Sequence, residues 1–253
     1  MGIRSLRILS LLGIFYIIAY AEANWKWQNP FPQGADMFAV ICLSNNRTII
    51  TGSGGTIMTT EDGGQNWFIQ RLPQVDFVRR YCFISDHEGW IIGNTSKIFK
   101  TDDAGLSWQQ LNISIDIDFS NYDLCDMAFI NSLKGFLLAN APYTRPTQEH
   151  QKYPGRIYKT EDGGIHWIKV DSGMPGGDYN QIVFQDSING FLLTQSSYSP
   201  FDFDDSRLYK TNNSGNTWSA LQGQGYGKVQ FVSKQVGWAG QYKSSDGGQT
   251  WHY

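Results

Sequence analysis

Short apolar runs separated by polar turns, rather than long amphipathic stretches, set the pattern of this chain. Hydrophobic positions cluster in Val78 to Ile84, Leu124 to Ile130, Ile182 to Phe184 and Val229 to Val232. A polar turn follows each, then a second run that opens on glycine: Gly89 to Gly93, Gly135 to Leu138, Gly190 to Leu193 and Gly237 to Gly240. Runs rich in β-branched and aromatic residues and bounded by turn formers predict strands. A third, alternating strand of the Lys97 to Thr101 type leads into the pattern Ser/Thr-x-Asp-x-Gly-x-x-Trp, and a fourth strand starts at its tryptophan. Each unit therefore reads strand a, strand b, strand c, box, strand d.

The box occurs at Thr60 to Trp67, Thr101 to Trp108, Thr160 to Trp167, Ser244 to Trp251 and, with Asn213 in place of the acid, Thr211 to Trp218. Five copies of a unit too small to bury its own apolar face imply one repeat domain. An antiparallel four-stranded meander repeated about an axis is a β-propeller blade, so the predicted fold is an all-β propeller with five visible units. The box tryptophans stand 41, 59, 51 and 33 residues apart. Most of the excess falls between strands b and c, at 141–155 and 196–206. In an up-and-down blade those loops share one face with the d-to-a connections, whereas the boxes lie on the other.

The box explains itself as a hairpin turn. Its hydroxyl and carboxylate accept backbone N–H bonds, its glycine supplies positive φ, and its tryptophan plugs the gap between layers. Asn213 makes the same turn bond but is a poor general base, which marks the box acids as structural rather than catalytic or calcium-binding.

Residues 1–23 read as a secretory signal, with Arg4 and Arg7 ahead of an apolar Ile8 to Ala19 and small-x-small cleavage choices at Ala19 to Ala23. That run is short against the roughly 20 residues of a bilayer span. The expectation is an exported protein (secreted, periplasmic or cell surface) without stable membrane insertion, with 24–253 forming the propeller. Trp25-Lys26-Trp27-Gln28 resembles a d strand with no a, b or c before it, and the sequence stops just after a box. A truncated piece of a longer ring is expected; a five-unit ring closed by the N-terminal strand is the alternative.

The formal charge of -3 gives no support for a nucleic-acid partner. Cys42, Cys82 and Cys125 are odd in number and widely spaced, which signals neither a disulfide framework nor a zinc site; buried free thiols are expected. The four histidines are scattered, and Asp202-Phe203-Asp204-Asp205 lacks the spacing and glycine of a calcium loop. No metal, cofactor or catalytic constellation is expected.

Binding has better support. The insertions carry Tyr143, Arg145, Tyr153, Tyr198 and Phe201 among prolines, and aromatic and Arg side chains on stiffened loops supply contact area at low entropic cost. Arg79 and Arg80 are the adjacent arginines that remain after residue 23. A protein partner is the expectation, with a glycan as a further possibility. Asp116, Asp118, Asp123 and Asp126, with Asp202, Asp204 and Asp205, are the acids from which a hydrolase would need two carboxylates roughly 5 to 10 Å apart.

Thr160-Glu161-Asp162-Gly163-Gly164 resembles the Asp-box, or bacterial neuraminidase repeat. Together with Trp27-Gln28-Asn29-Pro30-x-Pro32-Gln33-Gly34 and Gly89-Trp90-Ile91-Ile92-Gly93, it is similar to the photosystem II stability and assembly factor-like propellers. The resemblance covers about residue 25 to 253. It implies a seven-bladed, non-catalytic scaffold that binds a protein partner, photosystem assembly being the activity of the best-known members. A basic patch is a candidate docking surface in those members, and Arg79 and Arg80 have no motif that matches them to it. Sialidases and xyloglucanases share the Asp-box, so a carbohydrate-active hydrolase is the alternative. The Arg-Ile-Pro segment typical of sialidases has no counterpart, since Arg156-Ile157-Tyr158 feeds a box as strand c.

Overall fold

The computed structural model describes residues 35–94, 96–141, 154–170, 177–195, 206–223 and 225–253. They form five antiparallel meanders in sequence order. Blade 1 comprises β1 (Met37–Cys42), β2 (Thr48–Gly52), β3 (Thr56–Thr60) and β4 (Phe68–Arg71), and blade 2 comprises β5 (Val78–Phe83), β6 (Gly89–Gly93), β7 (Ile98–Thr101) and β8 (Gln109–Gln110). Blade 3 contains β9 (Ser114–Ile115), β10 (Asp123–Phe129), β11 (Gly135–Asn140), β12 (Arg156–Thr160) and β13 (His166–Lys169). Blade 4 contains β14 (Asp178–Phe184), β15 (Gly190–Gln195), β16 (Leu208–Thr211) and β17 (Ser219–Ala220). In blade 5, β18 (Val229–Phe231), β19 (Gly237–Ala239) and β20 (Tyr242–Ser244) are followed by a bridge from Lys243 to His252 that begins a fourth strand.

The burial of each strand follows its place in the blade. The b strand β6, like β11, is buried at every position because both faces of its sheet pack on neighbouring blades. Both therefore read as unbroken apolar runs, whereas the outer strands β4 and β8 are largely exposed. The core is four separate clusters, one in each gap between consecutive blades.

One aromatic ladder recurs across those gaps. Phe136 of β11 stacks on Phe184 of β14 at 5.5 Å, and Phe191 of β15 stacks on Phe231 of β18 at 5.2 Å. Phe184 and Phe231 then stand edge-on to the box tryptophans of their own blades, Trp218 and Trp251. The glycine opening the b strands of blades 2 to 5 makes room for this ladder: a Cβ on Gly135 would lie 2.7 Å from the Phe129 ring.

The boxes form as expected. Thr60 Oγ1 donates to Asp62 Oδ1 at 2.9 Å and accepts the Gly64 N–H at 2.9 Å, while Asp62 Oδ1 takes the Asn66 N–H at 2.8 Å. Asn213 repeats these bonds with Thr211 and the Thr217 N–H. Each box is stitched to the a-to-b turn of its own blade, as where the Gly163 N–H meets the Leu133 carbonyl at 2.8 Å. The b-to-c ends lie at the other pole, where the Gly155 N–H reaches the Gly177 carbonyl.

Three features differ from the sequence reading. Blade 3 has five strands, because β9 pairs in parallel with β13 on the outer edge. Part of the long 59-residue interval is therefore this edge cover, held by Ile113, Ile115 and Ile117 against the core. Second, β1, β5, β10 and β14 each carry a register shift, between Met37 and Ala39, Val78 and Arg80, Leu124 and Asp126, and Tyr179 and Gln181. Third, none of the three cysteines is in a disulfide, but Cys42 is exposed at the end of β1 and Cys82 and Cys125 are only partly covered. An innermost strand turns alternate side chains toward the axis, so apolar surroundings in the sequence did not guarantee burial.

A candidate binding site in the central channel

The inner strands of all five blades line one cavity of about 910 Å³. Strand pairing aligns Ala39, Arg80, Asp126 and Gln181 at the position just after each bulge, opposite Thr51, Ile92, Leu138 and Leu193. Lys228 holds the same place in blade 5, where its carbonyl accepts the Gly240 N–H at 3.1 Å. All five residues line the cavity except that Ala39 presents no polar group, so three charges and one amide from four blades meet at one level.

An innermost strand has no neighbour on its axial edge, and its outward amides need partners. Side chains of the preceding blade supply them. Gln181 acts as a peptide-group mimic, accepting the Val229 N–H at 2.7 Å and donating to the Val229 carbonyl at 3.1 Å. Asn140 does the same for Tyr179, at 3.0 and 2.6 Å. Asp126 Oδ2 accepts the Ile182 N–H at 2.8 Å, and Cys82 Sγ takes the Phe129 N–H at 3.2 Å.

Asp126 is the electrostatic centre of this arrangement. It is buried, yet its Oδ1 lies 3.7 Å from Arg80 Nε. Burial pushes its carboxyl up to about 6, against the opposing pull of the Ile182 amide, the Arg80 guanidinium, the Met127 amide and Lys228. Desolvation, with Arg80 nearby, lowers the Lys228 ammonium, and Asp126 partly restores it. Desolvation of the sulfur, against the pull of the Phe129 amide, pushes the Cys82 thiol up to about 12, so it is neutral at ordinary pH.

Of the residues singled out in the sequence, Arg80 belongs to this site. Arg79 lies on the same strand at the bulge, but its side chain is outside the described set. Tyr143, Arg145, Tyr153, Tyr198 and Phe201 are all outside the described residues, as are Asp202, Asp204 and Asp205. The insertion that carries the first three springs from the end of β11 and returns at β12, where Arg156 sits 4.1 Å over the Tyr122 ring. Of the other acids singled out, Asp118 caps its own turn through Ser120 and Asn121, and Asp116 contributes a carbonyl to the Tyr158 hydroxyl. Asp86, the other described acid lining the channel, lies beyond β5 at the a-to-b turn beside His87. Asp126, Gln181 and Lys228 were not recognised as a group from sequence; their signal was a shared offset from the strand's terminal phenylalanine, at Phe129, Phe184 and Phe231.

The fold and the boxed turns define a β-propeller of bacterial-neuraminidase-repeat type. The chain belongs to the family described as Photosynthesis system II assembly factor YCF48, whose pattern matches residues 19–170. A Photosystem II stability/assembly factor HCF136 of Guillardia theta is 35% identical over 223 residues, covering 76% of this chain and 52% of that protein. The HCF136 of Arabidopsis thaliana is 26% identical over 186 residues, covering 70% of this chain and 42% of that protein. The chain thus spans about half or less of the length of these relatives. Among solved structures, a GH74 enzyme from Niastella koreensis shares the fold at a TM-score of 0.59 and 14% identity, over 87% of this chain and 38% of that chain.

Proposed function

We propose that this chain is an exported, non-catalytic propeller scaffold that binds a protein partner, in the manner of a photosystem II assembly factor. The observation that carries the reading is the family match combined with a central channel in which, among the described residues, cations and a single clasped carboxylate meet at one level. The names of the relatives supply the setting of photosystem II assembly. Export rests on the signal-like residues 1–23, which precede the described region; no helix among the described residues is long and apolar enough to cross a membrane.

The docking face we propose is the pole opposite the boxes, with Tyr143, Arg145, Tyr153, Tyr198 and Phe201 on its loops, Arg80 at the channel and Arg79 next to it on β5. Loops on a rigid scaffold are the usual place for recognition. We also propose that the five blades are part of a seven-bladed ring. Trp238 supports this: it is 39% exposed, whereas its counterparts Trp90, Phe136 and Phe191 are fully buried under the following blade.

Replacing Tyr143, Arg145 and Tyr198 together by alanine tests the docking face. Capture of a purified photosystem II subunit should be lost while the circular dichroism spectrum is kept; unchanged capture would remove this face from the account. A hydrolase of sialidase or xyloglucanase type is the second reading, favoured by the shared fold of the GH74 enzyme. Turnover of a sialoside or β-glucan that disappears on replacing one acid would support it.

A further inference from the structure

We infer that the junction between blades 3 and 4 is a pH-operated latch, in which the buried side chain of Asp126 closes the inner wall of the channel when protonated and loosens it when ionised. The inference concerns the scaffold itself and does not rest on the identity of any partner. It starts from two junctions built at the same ring position from different chemistry. Between blades 4 and 5 the clasp is the neutral Gln181 amide, which accepts the Val229 N–H at 2.7 Å and donates to the Val229 carbonyl at 3.1 Å. Between blades 3 and 4 it is Asp126, whose Oδ2 accepts the Ile182 N–H at 2.8 Å. Protonated, this carboxyl has a donor and an acceptor as the Gln181 amide has; ionised, it has acceptors alone.

The setting makes the ionised form costly. Asp126 is 6% exposed, and Arg80 Nε stands 3.7 Å from its Oδ1, a long single contact rather than a two-pronged one. Arg80 has a further interaction of its own, so its place does not depend on Asp126. A buried charge with amide bonds and one long ion contact does not recover the hydration it has lost. Freeing the Ile182 amide lets water reach Oδ2, so an opening at this junction also hydrates the carboxylate. The Ile182 bond favours ionisation and burial opposes it; burial is the larger effect and raises the carboxyl to about 6. A group that holds its proton more tightly in the closed junction than in water stabilises the closed form below its hydrated value near 3.8 and loses that contribution as pH rises through 6.

The titratable and charged groups facing Asp126 are Arg80 and Cys82 from β5 and Lys228 ahead of β18. Its opposite residue on β11 is Leu138, and β14 offers the Ile182 amide, its own Asp178 lying at the far end opposite Gln195. On β10 the Cys125 thiol is directed to the Tyr179 carbonyl at 3.7 Å. Arg80 keeps its charge and Cys82 is neutral, which leaves Asp126 and Lys228 to be separated by substitution.

Hydrogen exchange read by NMR on the full chain tests the latch, each amide rate being divided by its intrinsic rate at the same pH. Protection at Ile182 relative to Val229, which senses the same global opening, should fall by about tenfold from pH 5 to pH 8, as a hydrated value near 3.8 and a closed value of about 6 require. Asp126→Asn should make the ratio independent of pH, and Lys228→Gln should keep the fall. A wild-type ratio that stays constant or rises with pH, a fall that survives in Asp126→Asn, or one that disappears in Lys228→Gln overturns the inference. If Asp126→Asn fails to fold, the wild-type ratio and the Lys228→Gln series decide it.

Discussion

The indole of Trp90 lies flat against the ring of Phe129, with centroids 3.7 Å apart and planes 5° from parallel, joining blade 2 to blade 3. Its Nε1–H also donates to the Gly163 carbonyl of the blade 3 box at 3.1 Å. One side chain thus fixes both the spacing and the height of two neighbouring blades. Trp90→Ala should destabilise the fold by about 3–5 kcal/mol, the usual range for emptying a fully buried aromatic site. Trp238→Ala, at the corresponding but partly exposed position, should cost under about 1 kcal/mol. Urea unfolding of the two variants side by side checks the contrast.

Asn213 already performs the box turn in blade 4, which makes the chemistry of the other boxes testable. Asp162 accepts the Ile165 and His166 N–H groups and the Thr160 hydroxyl. Asp162→Asn, which keeps the Oδ1 acceptor and gives up only the charge, should cost less than Asp162→Ala, which strips these acceptors and should lose about 1–2 kcal/mol. Chemical denaturation distinguishes them; equal losses would mean that charge, rather than acceptor geometry, maintains the turn.

Two sets of carboxylates give stability opposite slopes with pH. The Asn66 backbone amide, chiefly, holds Asp62 down at about 2. Asp162 also sits at about 2, where burial acts upward but the His166 and Thr160 bonds outweigh it. Their contribution is present above an unfolded value near 3.8 and is lost as pH falls from there toward 2. Asp126 runs the other way. Raised to about 6, it keeps a proton that the unfolded chain releases near 3.8, so its favourable contribution is complete below 3.8 and is lost as pH rises through 6. Thermal melts should therefore peak between about pH 4 and 5.5 and fall on both sides. Asp126→Asn should flatten the upper arm, which a melt series from pH 3 to 8 would reveal.

The box glycines Gly105, Gly215 and Gly248 set a steric limit on the blade interfaces. Gly215 has φ of +77°, and a Cβ there would come within 2.4 Å of the Phe136 ring. Gly215→Ala combines backbone strain with a clash inside the buried gap, and should lower the melting temperature by several degrees or prevent folding. Gly54→Ala, also at positive φ but with nothing near its Cβ, isolates the backbone effect of about 1 kcal/mol. Comparing the two by calorimetry separates strain from clash.

The blades were legible in the sequence because their determinants are local. The box glycines and hydroxyls act within eight residues, and the b strands are apolar at every position because two neighbours cover them. The parallel strand β9 was not legible, since Ser114 and Ile115 carry no pattern of their own and are placed by Ile165 and the blade 3 core. The channel was only half legible. Arg80 stood out as one of two adjacent arginines, but its relation to Asp126 and Lys228 depends on bulges that shift each inner strand by one residue, and on blades 46 and 148 positions further along the chain. Asp126 looked like one acid among several until its oxygen was seen to hold the amide of the next blade.

The measurement that bears most directly on the account is binding set against turnover on the same preparation. Purified photosystem II subunits are titrated over the immobilised chain, with sialosides and β-glucans assayed in parallel. Saturable binding of a subunit, lost on replacing Tyr143, Arg145 and Tyr198 and accompanied by no glycan hydrolysis, is the predicted result. Hydrolysis of either glycan with no subunit bound would contradict it.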